Sequence, residues 1–181
     1  MRCFIAIDIS NPNTLENLAR IANLFNLTGV KPVEKENLHI TLKFLGEISE
    51  KTVQELITKL DEVKYKQFEV RVASIGAFPN LRRPRVIWAG IKEGHQELIQ
   101  LQSIIENALK DLKLRMEDEK FHPHVTLARI KDNRSMMQVL EIINSNLDQE
   151  FGKFEVKDFV LKQSTLTSRG PIYSDIKRFN L

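Results

Sequence analysis

Glu36–Gly46, ENLHITLKFLG, and Phe121–Ile130, FHPHVTLARI, share a short pattern, His-apolar-Thr-Leu, at His39–Leu42 and at His124–Leu127. Both stretches are rich in β-branched residues and bounded by polar or turn residues, which predicts strands. In a strand, residues i and i+2 face the same side. His39 therefore points with Thr41, and His124 with Thr126. Ile40, Leu42, Val125 and Leu127 point the other way, into a core. Regular alternation also puts Lys43 on the face of His39. Arg129 falls out of phase with His124 and needs a twist or bulge to join it.

On the N-terminal side, Arg2–Asp8 alternates as a strand. Ser10-Asn11-Pro12-Asn13 signals a helix start, and Leu15, Leu18, Ala19, Ala22 and Phe25 recur at helical spacing. Gly29 and Pro32 end that helix. After the first His-x-Thr strand, Ser49 caps a helix with Val53, Leu56, Ile57 and Leu60 on one face. Phe68–Ile75 reads as a third strand, followed by the basic loop Phe78–Arg85. The second half repeats this order. Val86–Ile91 is a strand, Gly94 opens a helix through Leu112, and a polar link at Glu117–Lys120 leads to the second His-x-Thr strand. Ser135 caps a helix, Phe154–Lys162 is a strand and Tyr173–Phe179 closes the chain. The histidines of the two motifs lie 85 positions apart; the capping serines and the strand starts Phe68 and Phe154 each lie 86 apart. Such a constant shift predicts one domain built from two pseudo-repeats, about 1–80 and 85–181.

The totals set bounds on function. A chain of 181 residues with 42% apolar and 28% charged residues is an ordinary globular composition. It is long enough to bury on the order of 70% of its unfolded surface. The one cysteine, Cys3, excludes an internal disulfide and sits in an apolar strand as a core residue. The N-terminal apolar run is too short for a membrane span and lacks a cleavage signal, so a cytoplasmic protein without membrane contact is expected. A net charge of +3 is compatible with an anionic partner.

Two repeats related by an approximate two-fold axis would set His39 and His124 across a shared groove, beside Thr41 and Thr126. Paired imidazoles suit general acid–base chemistry near neutral pH, one neutral to take a proton and one charged to give it. The hydroxyls can hold phosphate oxygens. This set fits attack by water or another hydroxyl on a phosphodiester, and from the residues alone the two histidines are interchangeable. His122 could pair with His124 as a metal chelate, but no third ligand has an obvious claim. His95 reads as a surface residue and Trp88 as core. Arg82, Arg83 and Arg85 read as a solvated loop that, beside a phosphate site, could guide an RNA backbone.

ENLHITLKFLGE and FHPHVTLAR resemble the two signatures of the two-histidine phosphoesterase superfamily. Within it the chain is similar to the 2′-5′ RNA ligase group, also called RNA 2′,3′-cyclic phosphodiesterases. The resemblance extends through the opening RCFIAIDI and covers essentially the whole chain. It implies an α+β, bilobal, pseudo-two-fold fold, with two antiparallel sheets flanked by outer helices and the active groove between the lobes. It implies His39 as proton donor, His124 as proton acceptor, and Thr41 and Thr126 as phosphate holders. Lys43 and Arg129 are added as candidate substrate contacts. The implied reaction opens a 2′,3′-cyclic phosphate at an RNA end to a 2′-phosphate; some members also join tRNA halves through a 2′-5′ bond. No metal or nucleotide cofactor is implied, and a monomer is expected. The alternatives are a non-catalytic RNA-end binding protein and a phosphodiesterase for a small cyclic nucleotide.

Overall fold

The computed structural model describes residues 1–114 and 120–181. Of the polar link read at Glu117–Lys120, all but Lys120 lies outside the described residues. The described elements run β1 (Arg2–Asp8), α1 (Pro12–Leu24), β2 (Val30–Pro32), β3 (His39–Glu47), α2 (Glu50–Leu60), β4 (Phe68–Phe78), β5 (Val86–Ile91), α3 (His95–Ala108), β6 (His124–Ile130), α4 (Met136–Ser145), β7 (Glu150–Val156), β8 (Asp158–Thr167) and β9 (Gly170–Asn180). The result is a mixed α/β fold with a curled antiparallel sheet, a half-barrel.

Local chemistry explains most boundaries. The Asn11 side chain accepts hydrogen bonds from the N–H groups of Asn13 and Thr14, and Pro12 opens α1 where no N–H is needed. Ser49 caps α2 through the N–H of Thr52. Ser135 departs from its expected role. Its hydroxyl donates to the Thr28 carbonyl, and no side chain caps α4. Strand alternation then builds one core. Ile40, Leu42, Val125 and Leu127 are buried together with Leu18 and Ile21 of α1, Leu56 of α2, Leu101 and Ile105 of α3, and Val139 of α4. Burial on this scale is the main source of stability, at about 1.5–3 kcal/mol for each large apolar side chain. Cys3 is part of this core.

The strand order is β7-β4-β5-β6-β3-β1-β8-β9, with β2 paired to β6. Two half-sheets meet at the centre, where β3 and β6 share a single antiparallel register pair, Ile40↔Val125. What the sequence reads as two sheets is thus joined into one by the first residues of the two motif strands. Beyond that point β2 takes over the edge of β6, pairing Val30 with Ile130 and Pro32 with Ala128.

The half-sheets do not follow the halves of the chain. β4, from the first half, pairs with β5; β8, from the second, pairs with β1. The single strand read at Phe154–Lys162 is two strands, β7 and β8, parted at Lys157 and sent to opposite sides of the centre. Phe68 and Phe154, aligned as equivalents by spacing, lie in directly paired strands, with Val70 opposite Phe154. Counting outward from the centre, the counterpart of β4 is β8. Among the described residues no helix is long and apolar enough to cross a membrane.

Candidate active site

β3 and β6 each begin with their histidine, so the one register pair that joins the half-sheets also brings the two motifs together. Ile40 and Val125 are both fully buried. Their neighbours in each strand must therefore emerge on the opposite, concave face. Extending the antiparallel register by one residue sets His39 across from Thr126, and Thr41 across from His124. The two histidines are then diagonal neighbours, for which a spacing of about 7–8 Å is usual.

Both rings are oriented by the backbone two residues earlier. His124 Nδ1 lies 2.6 Å from the His122 carbonyl. A carbonyl can only accept, so Nδ1 carries the proton and Nε2 of the neutral ring presents a lone pair to the groove. His39 is hydrogen-bonded to the Asn37 backbone, and its Nε2 lies 2.9 Å from Thr41 Oγ1.

Aromatic walls flank the pair. Phe4 stacks on His39 with ring centres 5.1 Å apart, and Tyr173 meets His39 edge-on at 5.4 Å. Opposite, Phe78 meets His124 at 5.1 Å, and Trp88 lies 6.0 Å from His124 and 4.9 Å from His122. Trp88 therefore belongs to the groove wall, not to the core read from its apolar strand. Its place depends on Gly76 in the paired strand, where a Cβ would fall 2.1 Å from the indole ring.

Electrostatics follows from this burial. Desolvation pushes the His39 imidazole down to about 4; the Lys162 charge adds to the shift and Asp8 opposes it. His124 also contributes to the field on His39, so the rings sense each other. Burial lowers the pKa of His124 as well, against the hydrogen bond to His122, with His122 and Arg129 pushing the same way as burial. Lys162 is a buried lysine on β8. Burial disfavours its charge, but Asp175 at 2.9 Å and Asp8 at 3.0 Å outweigh that and hold its pKa above the ordinary value. Arg178 closes the cluster, bonding Asp8 at 2.8 Å and Asp158 at 2.7 Å.

The two outer candidates part ways. In β3 the register steps from Ile5↔Lys43 to Ala6↔Thr41, leaving Leu42 as an extra residue. In β6 it steps from Ile87↔Ala128 to Trp88↔Thr126, leaving Leu127 extra. Each strand thus has a bulge just after its threonine, and such bulges re-aim the following side chains. Arg129 returns to the concave face and is exposed, and its charge is felt by both His124 and Tyr173. Lys43 is turned away. It is 4% exposed, and its Nζ bonds Glu106 of α3 at 2.7 Å. Phe44, 56% exposed, takes the groove position instead. Lys43 is therefore a helix-to-sheet tie and does not share the face of His39 to which regular alternation assigns it.

The sequence held a signal for this. Without a bulge, β6 would put Arg129 into the core and Ala128 into the groove, so polarity there demands one. The repeat then implies the same bulge in β3, where polarity alone argues against it. Lys162 and Tyr173 were not foreseen, because they lie on β8 and β9 and reach His39 only through the packing of these strands beside β1. His122 and His95 have ring centres 6.2 Å apart, and no cluster of three or more potential metal ligands occurs among the described residues.

Comparison with known proteins agrees in kind. The family described as "LigT like Phosphoesterase" matches residues 7–88 and 90–173. The chain is 41% identical over 179 residues, covering 99% of each chain, to an Archaeoglobus fulgidus protein named RNA 2′,3′-cyclic phosphodiesterase. A Methanocaldococcus jannaschii protein of the same name is 38% identical over 179 residues, which is 99% of this chain and 100% of that one. Among solved structures, a Thermus thermophilus protein superposes with a TM-score of 0.84 at 27% identity, covering 100% of this chain and 98% of that one. E. coli LigT complexed with 3′-AMP superposes with a TM-score of 0.80 at 25% identity, covering 99% and 97%.

Proposed function

The chain belongs to the LigT-like phosphoesterase family, and from that premise we propose that it hydrolyses 2′,3′-cyclic phosphate ends of RNA to 2′-phosphomonoesters. The observation that carries this reading is the meeting of His39 and His124 at the single β3–β6 register pair, with Thr41 and Thr126 on the same face. Water attacks phosphorus, a new P–O bond forms, and the P–O3′ bond breaks. His124 Nε2 takes the proton from the attacking water. His39 gives a proton to O3′, which leaves as a hydroxyl. Thr41, Thr126 and Arg129 hold the non-bridging oxygens, whose charge the arginine balances.

The buried His39 is neutral at pH 7 while the groove is empty, since its pKa is about 4. A bound phosphodiester brings a negative charge against the ring and raises that value. Substrate binding is therefore coupled to uptake of the proton that His39 later gives away. Phe4, Tyr173, Phe78 and Trp88 keep bulk water from the rings and strengthen these charge interactions. With the 5′-hydroxyl of a second RNA end in place of water, the same groups would serve a transesterification in the same direction: His124 takes the hydroxyl proton, a P–O5′ bond forms as P–O3′ breaks, His39 protonates O3′, and two tRNA halves are joined through a 2′-5′ bond.

The test is incubation of the protein with an RNA ending in a 2′,3′-cyclic phosphate, followed by identification of the product end. A 2′-phosphate with a free 3′-hydroxyl is expected. A 3′-phosphate would invert the assignment of the leaving oxygen. A bound but uncleaved end would make the protein an RNA-end binder.

A further inference from the structure

A basic cavity lies outside the histidine groove, at the far end of β6. The loop from Phe78 to Arg85 joins β4 to β5, and its shape is fixed by hydrogen bonds. The Asn80 side-chain oxygen accepts from the N–H groups of Arg82 and Arg83, at 3.0 Å each. The Arg85 N–H donates to the Phe78 carbonyl at 2.8 Å, and the Ile130 N–H donates to the Arg85 carbonyl at 2.8 Å. With Pro84, Asn133 and Met136, the three arginines line a cavity of about 280 Å³.

Among the described residues, no carboxylate lies within 4 Å of these three guanidinium groups; Arg85 Nη1 reaches only the neutral Asn133 side chain, at 3.1 Å. Asp132, on the adjoining loop, is engaged by Arg134 at 2.9–3.0 Å. The N-terminal end of α4 reaches the same cavity at Met136. It carries no acidic residue in its first turn and no side-chain cap. Three arginines and the positive end of a helix dipole thus line one cavity, an arrangement that favours an anion there.

The cavity is in line with the groove. Phe78, where the loop begins, packs its ring on His124. Arg129 pairs with Val86, the first residue of β5, directly after the loop. From His124 to Ile130, β6 spans about 20 Å at the usual rise per residue. A strand of RNA whose end sits between the histidines can follow β6 past Arg129 and arrive at the loop.

We propose that Arg82, Arg83 and Arg85, beside the N-terminal end of α4, bind backbone phosphates of single-stranded RNA several nucleotides upstream of the end held in the groove. The inference rests on the hydrolytic reading for the identity of that RNA. It makes the loop a length-reading site, engaged by oligonucleotides and not by a mononucleotide.

The test compares a 2′,3′-cyclic mononucleotide with an oligonucleotide bearing the same cyclic end, for the parent protein and for Arg82→Ser, Arg83→Ser and Arg85→Ser combined. The combined variant is expected to raise KM for the oligonucleotide on the order of tenfold at low salt, and to flatten the log–log salt dependence by about two, given a slope near −0.7 for each single-strand phosphate contact. Kinetics on the mononucleotide should stay within about twofold. Arg→Lys at the same three positions should keep most of the salt slope, which separates lost charge from lost loop structure. Equal change on both substrates, or none on either, would overturn the proposal. Fluorescence anisotropy of labelled RNA, parent against variant, reads the loop without turnover. A protein that cleaves neither substrate would sink the hydrolytic reading, while loss of anisotropy binding in the variant would still support the loop, and unchanged binding would refute it.

Discussion

Replacing His124 by alanine is expected to lower kcat on an RNA 2′,3′-cyclic phosphate end by roughly 10²–10⁴-fold, the range for loss of a positioned proton carrier. His39→Ala is expected to cost a similar factor. The effects arise differently. His124 is fixed by the His122 carbonyl so that Nε2 faces the groove as an acceptor. His39 must first recover a proton that burial has driven off. The double variant should therefore be little worse than either single one, because attack and leaving-group protonation are parts of one displacement. Steady-state kinetics of the three variants measures this. A single variant within a few fold of the parent would remove that histidine from the chemistry.

Acidification is expected to destabilise the protein well before its carboxylates titrate. In the unfolded chain a histidine takes up its proton near pH 6.5, whereas folded His39 does so only near 4. Between those values the unfolded state holds more protons, so stability falls as pH falls. Fully expressed, the His39 contribution is roughly 3 kcal/mol, at about 1.4 kcal/mol for each unit of difference. His124 and His122, both lowered chiefly by burial, act in the same direction. Urea unfolding at pH 7 and at pH 4.5 gives the loss directly. His39→Gln should lose clearly less over the same interval, whatever its stability at pH 7. Equal losses in parent and variant would show that His39 is not held neutral by the fold.

The fold was legible wherever polarity and backbone period agree. The motif strands and the buried faces of the helices follow from alternation and spacing, and the helix start at Ser10–Asn13 and the cap Ser49 from the chemistry of helix ends. Departures from regular geometry were harder to see. A one-residue bulge after Thr41 reverses the faces of Lys43 and Phe44, and it leaves a buried lysine paired with Glu106 on a distant helix. The break at Lys157 was likewise not read from a stretch taken as one strand: it falls at the charged pair Lys157-Asp158, and what separates β7 from β8 is the sheet edge each must reach. Trp88 looked like core since its strand is apolar throughout, yet Gly76 opposite gives the indole a place on the groove face. The site had the same limit. Its two histidines and two threonines share one motif, while Lys162 and Asp8, which act on the charge of His39, and Tyr173, which packs against its ring, come from three strands with no common pattern.

Paired-histidine catalysis is tested most directly by the pH dependence of kcat/KM on a short RNA with a 2′,3′-cyclic end, measured in excess EDTA. With one imidazole neutral and the other charged, the profile should be bell-shaped and should report the pair rather than either residue. Both rings are lowered by burial, so the maximum should lie on the acid side of about 6.5, the ordinary histidine value. EDTA should leave the rate unchanged. A profile that rises steadily through pH 8, or activity restored only by a divalent metal, would contradict the account.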